Sequence, residues 1–260
     1  MMVLRKGSQT TYITQRVSQI ISSLGYHNVV IKCDQEPSIA ELQRDVRAAM
    51  ISELRDAANN IKDQLGGDRI DVQDGSAVPS VVVENSPVGE SASNGVIERA
   101  IQSVQEQIRA IKDTIETEAK MTISSSSSLW PWLIEFAAFT LLAYKIDSDD
   151  GRTALERTRG RTTHQGIVAF GECVLYKPAK SVKIEKAEAR WESGIWLGLI
   201  PETSEHIIGT ERGVVKCRAI TALNEDKKFD KSKIEAVKGL PWQPVPGRKS
   251  VSYTHLTLPT

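Results

Sequence analysis

Apolar residues recur along the first 150 positions at helical and strand spacings that can be separated by eye. Asn28-Val-Val-Ile-Lys-Cys-Asp34 reads as a short buried strand, β-branched in its middle and ending on a carboxylate. Ser38 then caps an amphipathic helix with apolar residues at Ile39, Leu42, Val46, Met50, Leu54, Ala57, Ile61 and Leu65, stopped by Gly66-Gly67. Asp68 to Pro79 forms an acidic loop, Ser80 to Glu84 a second strand, and Pro87 to Gly95 a turn rich in Gly, Ser and Asn. Ile97, Ile101, Val104, Ile108, Ile111 and Ile115 then alternate steps of four and three, a heptad-like seam on a second long helix. Ser124 to Ser128 serve as a joint and N-cap, and the helix from Trp130 to Tyr144 is too apolar to face water on all sides. Strand, helix, strand, helix, helix is the order of an α/β layer.

Beyond Asp149-Asp150-Gly151 the pattern changes to short strands: Gly171 to Lys177, Gly194 to Ile200, Glu205 to Thr210 and Gly213 to Leu223. In the last, Val215, Cys217 and Ala219 alternate with Lys216, Arg218 and Ile220, the period of a half-buried strand. The expectation is a mostly-β domain over 151–240, a small barrel or sheet with a basic outer face, after an α/β domain over 1–150. Residues 241–250, beginning Pro241-Trp-Gln-Pro-Val-Pro-Gly247, read as a stiff linker. Residues 251–260 resemble the translated adapter of a transposase-based sequencing library and stand outside any fold argument.

Composition narrows the class. At 260 residues, 40% hydrophobic and 25% charged, the chain fits a globular protein of about two domains. Three widely spaced Cys (Cys33, Cys173, Cys217) exclude a disulfide framework and a Cys-based zinc knuckle. MMVLRKG runs straight into polar residues, unlike a signal peptide, and the apolar run Leu129–Ile146 carries Pro131, Glu135 and Lys145, unlike a membrane span. An intracellular location is expected. The formal charge of zero hides an asymmetry: residues 1–150 hold 14 Lys/Arg against 21 Asp/Glu, and residues 151–260 hold 19 against 12. A basic half of this kind fits contact with a polyanion.

Two carboxylates stand where chemistry is conceivable. Asp34 closes the first strand in KCDQEPS, and Glu98 lies in the first turn of a helix in SNGVIERA. A strand-end carboxylate and a helix-start carboxylate can converge on one edge of a sheet. Hard oxygen donors on rigid elements suit Mg²⁺ or Mn²⁺, and two such ions can carry phosphodiester chemistry. On the residues alone, Asp34 equally fits a helix cap and Glu98 a first-turn acid favoured by the helix dipole.

KCDQEPS and SPVGESASNGVIERA resemble the second and third acidic motifs of retroviral-type integrases, in the ribonuclease-H-like polynucleotidyl transferase superfamily. WPWLIEFAAFTLLAYKI, DGRTALERTRGR, VAFGECVLY and WESGIWLGL follow in the order found in copia-type retrotransposon polyproteins, where a small β-rich domain follows the catalytic core. The resemblance spans about residues 3 to 247. It implies a partial ribonuclease-H-like catalytic core over 1–150, Mg²⁺-dependent processing of cDNA ends, and strand transfer into target DNA in the nucleus. It implies metal ligation by Asp34 and Glu98, with Asn94 and Gly95 presenting the Glu. Lys32 and Arg99 fall where family members meet the DNA backbone. In the basic half, Arg157, Arg159, Arg161, Lys216, Arg218, Lys227 and Lys228 are candidates to neutralise phosphates.

Two departures qualify the resemblance. The family places an earlier Asp on the first strand of its sheet, but residues 1–33 contain neither Asp nor Glu. The 63 residues between Asp34 and Glu98 also exceed the family's spacing, so the intervening helix or acidic loop carries extra sequence. The expectation is an N-terminally truncated integrase region, inactive alone because the two-ion geometry lacks a ligand. The alternative is a retroelement-derived nucleic-acid-binding or scaffold protein without catalysis. A third, a protein that dimerises along the Ile97 seam, leaves SNGVIERA and the β-rich half unexplained.

Overall fold

A computed structural model describes residues 11–26, 28–33, 36–64, 80–85, 95–160, 168–178 and 190–247. The chain is mixed α/β and divides into two compact units, one through Ala100 and the other from Ile101 onward. The sequence pattern set its division at 150 instead. The apolar helix that ends near that point shares its core with the β-sheet beyond it, so by packing it belongs to the second unit.

The first unit contains helix α1 (Thr11–Ser23), strand β1 (Asn28–Cys33), helix α2 (Pro37–Gln64) and strand β2 (Ser80–Asn85). β1 and β2 pair in parallel, from Asn28 opposite Ser80 to Cys33 opposite Asn85. Parallel neighbours need a long crossover, and α2 lies within it. The first part of the stripe predicted on α2 packs: Val46 and Met50 are buried with Val81, and Leu42, Ile31 and α1's Val17 and Ile21 close around them, while the side chains of Leu54, Ala57 and Ile61, and Leu65 itself, lie outside what is described. α2 starts two residues earlier than expected, at Pro37, the first-turn position where a missing N–H costs nothing. Ser38 therefore lies inside the helix, and its hydroxyl donates to Glu36 Oε1 at 2.8 Å.

Gln43 is the buried polar residue on the α2 stripe. Its Nε2 donates to the carbonyls of Ile31, at 2.5 Å, and Glu84, at 3.2 Å, tying the helix to both strands near their C-terminal ends. Ser18 has no such compensation. It is fully buried, and its Oγ has no partner among the described residues. A desolvated hydroxyl without a hydrogen bond opposes folding, so Ser18→Ala is expected to stabilise this unit by about 1 kcal/mol. Urea unfolding curves of the two proteins measure this; a lower midpoint for the alanine variant would show that the hydroxyl is satisfied.

The second unit takes in most of helix α3 (Gly95–Glu118), then α4 (Leu129–Tyr144), α5 (Ala154–Arg159), five strands and α6 (Lys231–Ala236). The strands are β3 (Cys173–Tyr176), β4 (Glu192–Leu199), β5 (His206–Thr210), β6 (Gly213–Cys217) and β7 (Ile220–Ala222). They form one antiparallel sheet in the order β6-β5-β4-β3-β7. The last predicted strand is thus two, and they occupy opposite edges with only Arg218 and Ala219 between them. A flat five-stranded sheet would hold its edges roughly 19 Å apart, whereas three Cα steps span at most about 11 Å. The sheet must coil strongly, and a bulge in β4 between Trp196 and Gly198 adds local twist. No β6–β7 ladder closes it among the described residues, so it is an open coiled sheet rather than the alternative barrel.

α4 packs on this sheet. Phe136 meets Trp196 edge-on at 5.2 Å and stacks on Phe170 at 5.4 Å, with Leu129, Leu133, Ile195, Leu197 and Ile208 buried around them. Its apolar character thus reflects core packing, and no described helix is long and apolar enough to cross a membrane. Along α3 the isoleucine seam changes character: Ile97 and Ile101 are exposed, Ile108 and Ile111 half-buried, and Ile115 completely buried. Ser128 holds the N-cap position of α4, but its side chain does not cap; its hydroxyl donates to Val237 O at 2.6 Å.

Residues 241–247 correct the expectation of a free linker. Val214 N donates to Pro244 O at 2.8 Å, Leu240 and Gln243 exchange two backbone hydrogen bonds, and Pro241 is buried. Trp132 Nε1 donates to Gly239 O at 3.0 Å, anchoring the same segment to α4. Residues 248–260 lie outside the described residues, with the adapter-like tail among them.

One half-buried contact is expected to make the stability of this unit depend on pH. Trp196 Nε1 donates to His206 Nδ1 at 3.2 Å, and burial pushes the His206 pKa below its ordinary value. Between the depressed folded pKa and the normal unfolded one, the unfolded chain binds more protons. This histidine's contribution to stability is therefore present above the unfolded pKa and is lost as pH falls through the folded one. The unfolding midpoint of the wild type is expected to fall more between pH 7.5 and 5.5 than that of His206→Gln. Parallel slopes would remove His206 from the account.

Candidate active site and nucleic-acid interface

The parallel register of β1 and β2 brings the C-terminal ends of both strands to one edge of the small sheet. Asp34 follows the last residue of β1 in sequence but lies outside the described residues, as do Asn94, Arg161 and Glu90. Glu98 lies in the first turn of α3 and is exposed, an accessible carboxylate where the helix dipole favours negative charge. Gly95, expected in the turn before it, is instead the first residue of α3.

Of the candidate ligands, Glu98 alone is described, and its hard carboxylate oxygens suit Mg²⁺ or Mn²⁺. Among the described residues no three His, Cys, Asp or Glu side chains cluster to hold a metal, a set from which Asp34 is missing. Glu36 caps α2: its backbone carbonyl accepts from Ile39 N and Ala40 N, and its carboxylate accepts from Ser38. Lys32 is exposed directly opposite Glu84 in the ladder, so a carboxylate flanks this candidate DNA contact. Arg99 is exposed on α3 beside Glu98.

The arginines of α5 are engaged within the protein. Thr153 and Glu156 form a reciprocal capping box, and Gly160 in the left-handed conformation ends the helix, fixing its short axis. Arg157 donates to Asp150 Oδ2 at 2.9 Å and Oδ1 at 2.6 Å, and lies 2.9 Å from Asp147 Oδ2. The Arg157 hydrogen bond holds the Asp150 carboxyl down to about 2. Asp147 is also lowered, first by the Asp149 N–H and then by Arg157. Arg159 pairs with Glu202 at 2.7 Å. A phosphate would have to compete with these carboxylates, which weakens both arginines as the backbone contacts they were expected to be.

Elsewhere in this unit the cations divide. Lys228 pairs with Glu225 at 2.6 Å, whereas Lys227 is exposed in a 3-10 turn. Lys216 and Arg218 are exposed on and just after β6, as the alternation there predicts. Lys177 and Arg190 are also exposed, and strand periodicity gave no reason to group them with Arg218. Cys173 and Cys217 are buried within strands, and burial pushes both thiols up, so neither is a nucleophile or soft ligand. Trp132 and Trp196 are buried core anchors, Trp130 is half-buried, and Trp191 is 41% exposed. The chain matches no protein-family model, and no characterised protein matches its sequence.

Proposed function

We propose that this chain is the integrase region of a copia-like retrotransposon polyprotein: part of a ribonuclease-H-like core followed by a β-rich domain that contacts DNA. The observation that carries the reading is the order β1, α2, β2, α3, with the strands parallel and Glu98 in the first turn of the helix that follows. This gives KCDQEPS and SNGVIERA the strand-end and helix-start settings that their resemblance to acidic motifs calls for. Asp34 and Glu98 hold the metal, and in the intact element a third carboxylate completes the set from outside these 260 residues. When bound, Mg²⁺ supplies charge stabilisation at the phosphodiester and activation of the nucleophile. The exposed cations of the β-rich unit hold the DNA backbone, and the place of action is the nucleus.

The test is Mg²⁺- or Mn²⁺-dependent nicking and strand transfer on labelled DNA ends, comparing this chain with an upstream-extended protein. Activity in the extended protein alone supports the reading. The absence of acidic residues before Asp34 favours one second reading, a retroelement-derived protein that binds nucleic acid without cutting it. Salt-sensitive binding with no cleavage by either protein would establish that reading and overturn the first.

A further inference from the structure

Four residues from three separate stretches of the chain gather at one end of the coiled sheet. Tyr176 ends β3 and is paired with Glu192, the first residue of β4, and with Ile220, the first residue of β7. Lys177 follows on the central strand, and its N–H donates to Ala219 O at 3.1 Å, carrying the alignment one step past the ladder. Arg190 and Trp191 lead into β4 on one side of it, and Arg218 lies next to Ala219 on the other. Neighbouring strands are about 4.8 Å apart, so these backbone positions share one end of three adjacent strands. All four residues are exposed.

Three features set this place apart. Lys177, Arg190 and Arg218 make no ion pair among the described residues, unlike Arg157, Arg159 and Lys228 of the same unit. The one carboxylate on the rung, Glu192, already accepts a hydrogen bond from Tyr176 Oη at 2.7 Å. Among the described residues, three cations against one carboxylate make this strand end positive. Trp191 is the large aromatic of this unit left 41% exposed, although β4 buries Trp196 five residues later. An indole left in water among unpaired cations is poor core design, but it provides a stacking surface for a base. The connecting residues 179–189 lie outside the described residues.

We infer that this strand end is a docking site for single-stranded nucleic acid, in which an unpaired base stacks on Trp191 while Lys177, Arg190 and Arg218 neutralise the flanking phosphates. Charge complementarity selects a polyanion, and the exposed indole favours a single strand, because a duplex keeps its base faces stacked inside. The inference rests on the proposed DNA-binding role of the β-rich unit and narrows it to unpaired ends or displaced strands.

Fluorescence anisotropy with a labelled oligo-dT and a labelled duplex of equal length tests it on the full chain. Trp191→Ala is expected to weaken oligo-dT binding by about 10- to 100-fold, with duplex binding changed less than about twofold. Trp191→Phe should retain most of the affinity. Arg218→Gln and Lys177→Gln should each lower the salt slope for the single strand by about 0.7. Unfolding midpoints equal to wild type check that the exposed replacements leave the fold intact. Unchanged oligo-dT affinity in Trp191→Ala, or an equal loss on the duplex, overturns the inference. Trp191-dependent single-strand binding without strand transfer in any protein would uphold this site while the integrase reading fell. Strand transfer indifferent to Trp191, with oligo-dT binding unchanged, would do the reverse.

Discussion

Gly239→Ala is expected to destabilise the second unit by about 3 kcal/mol or more, the largest stability effect of any single methyl addition proposed for this chain. Gly239 has φ +95°, where L side chains are rarely found, and a Cβ there would sit 2.1 Å from Pro244 O and 3.0 Å from Pro244 C. The obstruction is backbone, so no rotamer change relieves it. Nor can Pro244 easily withdraw: its carbonyl accepts Val214 N, and the reciprocal Leu240–Gln243 bonds hold the loop closed. Movement of Gly239 itself would cost the Trp132 hydrogen bond to its carbonyl. Gly247→Ala is the control, because Gly247 also has positive φ, +79°, but nothing lies within 4 Å of its would-be Cβ. That variant should lose only the backbone term, about 1–2 kcal/mol. Urea unfolding at fixed pH separates the two, and equal losses would mean that the segment yields and the Pro244 contact is not close.

The same segment shows where sequence pattern runs out. Residues 241–247 read as a linker because proline stiffens the chain and removes donors, but proline keeps its carbonyl, and the contact to the sheet is made by Pro244 as acceptor. The long periodic elements were legible. The α2 stripe packs at Leu42, Val46 and Met50, β1 and β2 are strands, and α4 is a helix buried in a core. Short helices were not legible. α5 carries a capping box at Thr153 and Glu156, a signal available in the sequence, but six residues are too few to show a period. The strand from Gly213 to Leu223 keeps its alternation through the corner, so nothing in the pattern reveals that Arg218 and Ala219 carry the chain from one edge of a coiled sheet to the other.

The candidate site divides along similar lines. Residue type and local setting were readable at Glu98, which the structure puts in the first turn of α3. Partners were not. Arg157 and Arg159 look like phosphate ligands in DGRTALERTRGR, but the first closes on Asp147 and Asp150 across a tight loop and the second on Glu202, 43 residues away. Conversely, Lys177, Trp191 and Arg218 become neighbours only through strand register, which depends on turn and bulge geometry that no short motif specifies. Charge counts alone therefore locate the cations of the second half but not which of them the fold already pairs with carboxylates.

Glu98→Gln in the upstream-extended protein is expected to reduce Mg²⁺-dependent strand transfer by about 10²-fold or more while leaving DNA affinity within about twofold. The amide keeps the size and hydrogen-bonding reach of the carboxylate but removes the charge, so loss of metal ligation is what the substitution reports. Glu98 is exposed, and the variant should fold like the wild type apart from a few tenths of a kcal/mol of helix-dipole stabilisation. Glu106→Gln, on an exposed position two turns further along α3, controls for helix charge and should retain activity. If Asp34 and Glu98 share one metal as proposed, Asp34→Asn should match Glu98→Gln, the two failing together rather than additively. Both losses should be accompanied by a weaker response to Mn²⁺ titration, the signature of a damaged metal site that a merely misfolded protein would not share with intact DNA binding. Full activity in Glu98→Gln would remove this carboxylate from the metal site and leave SNGVIERA as an ordinary helix start favoured by its dipole.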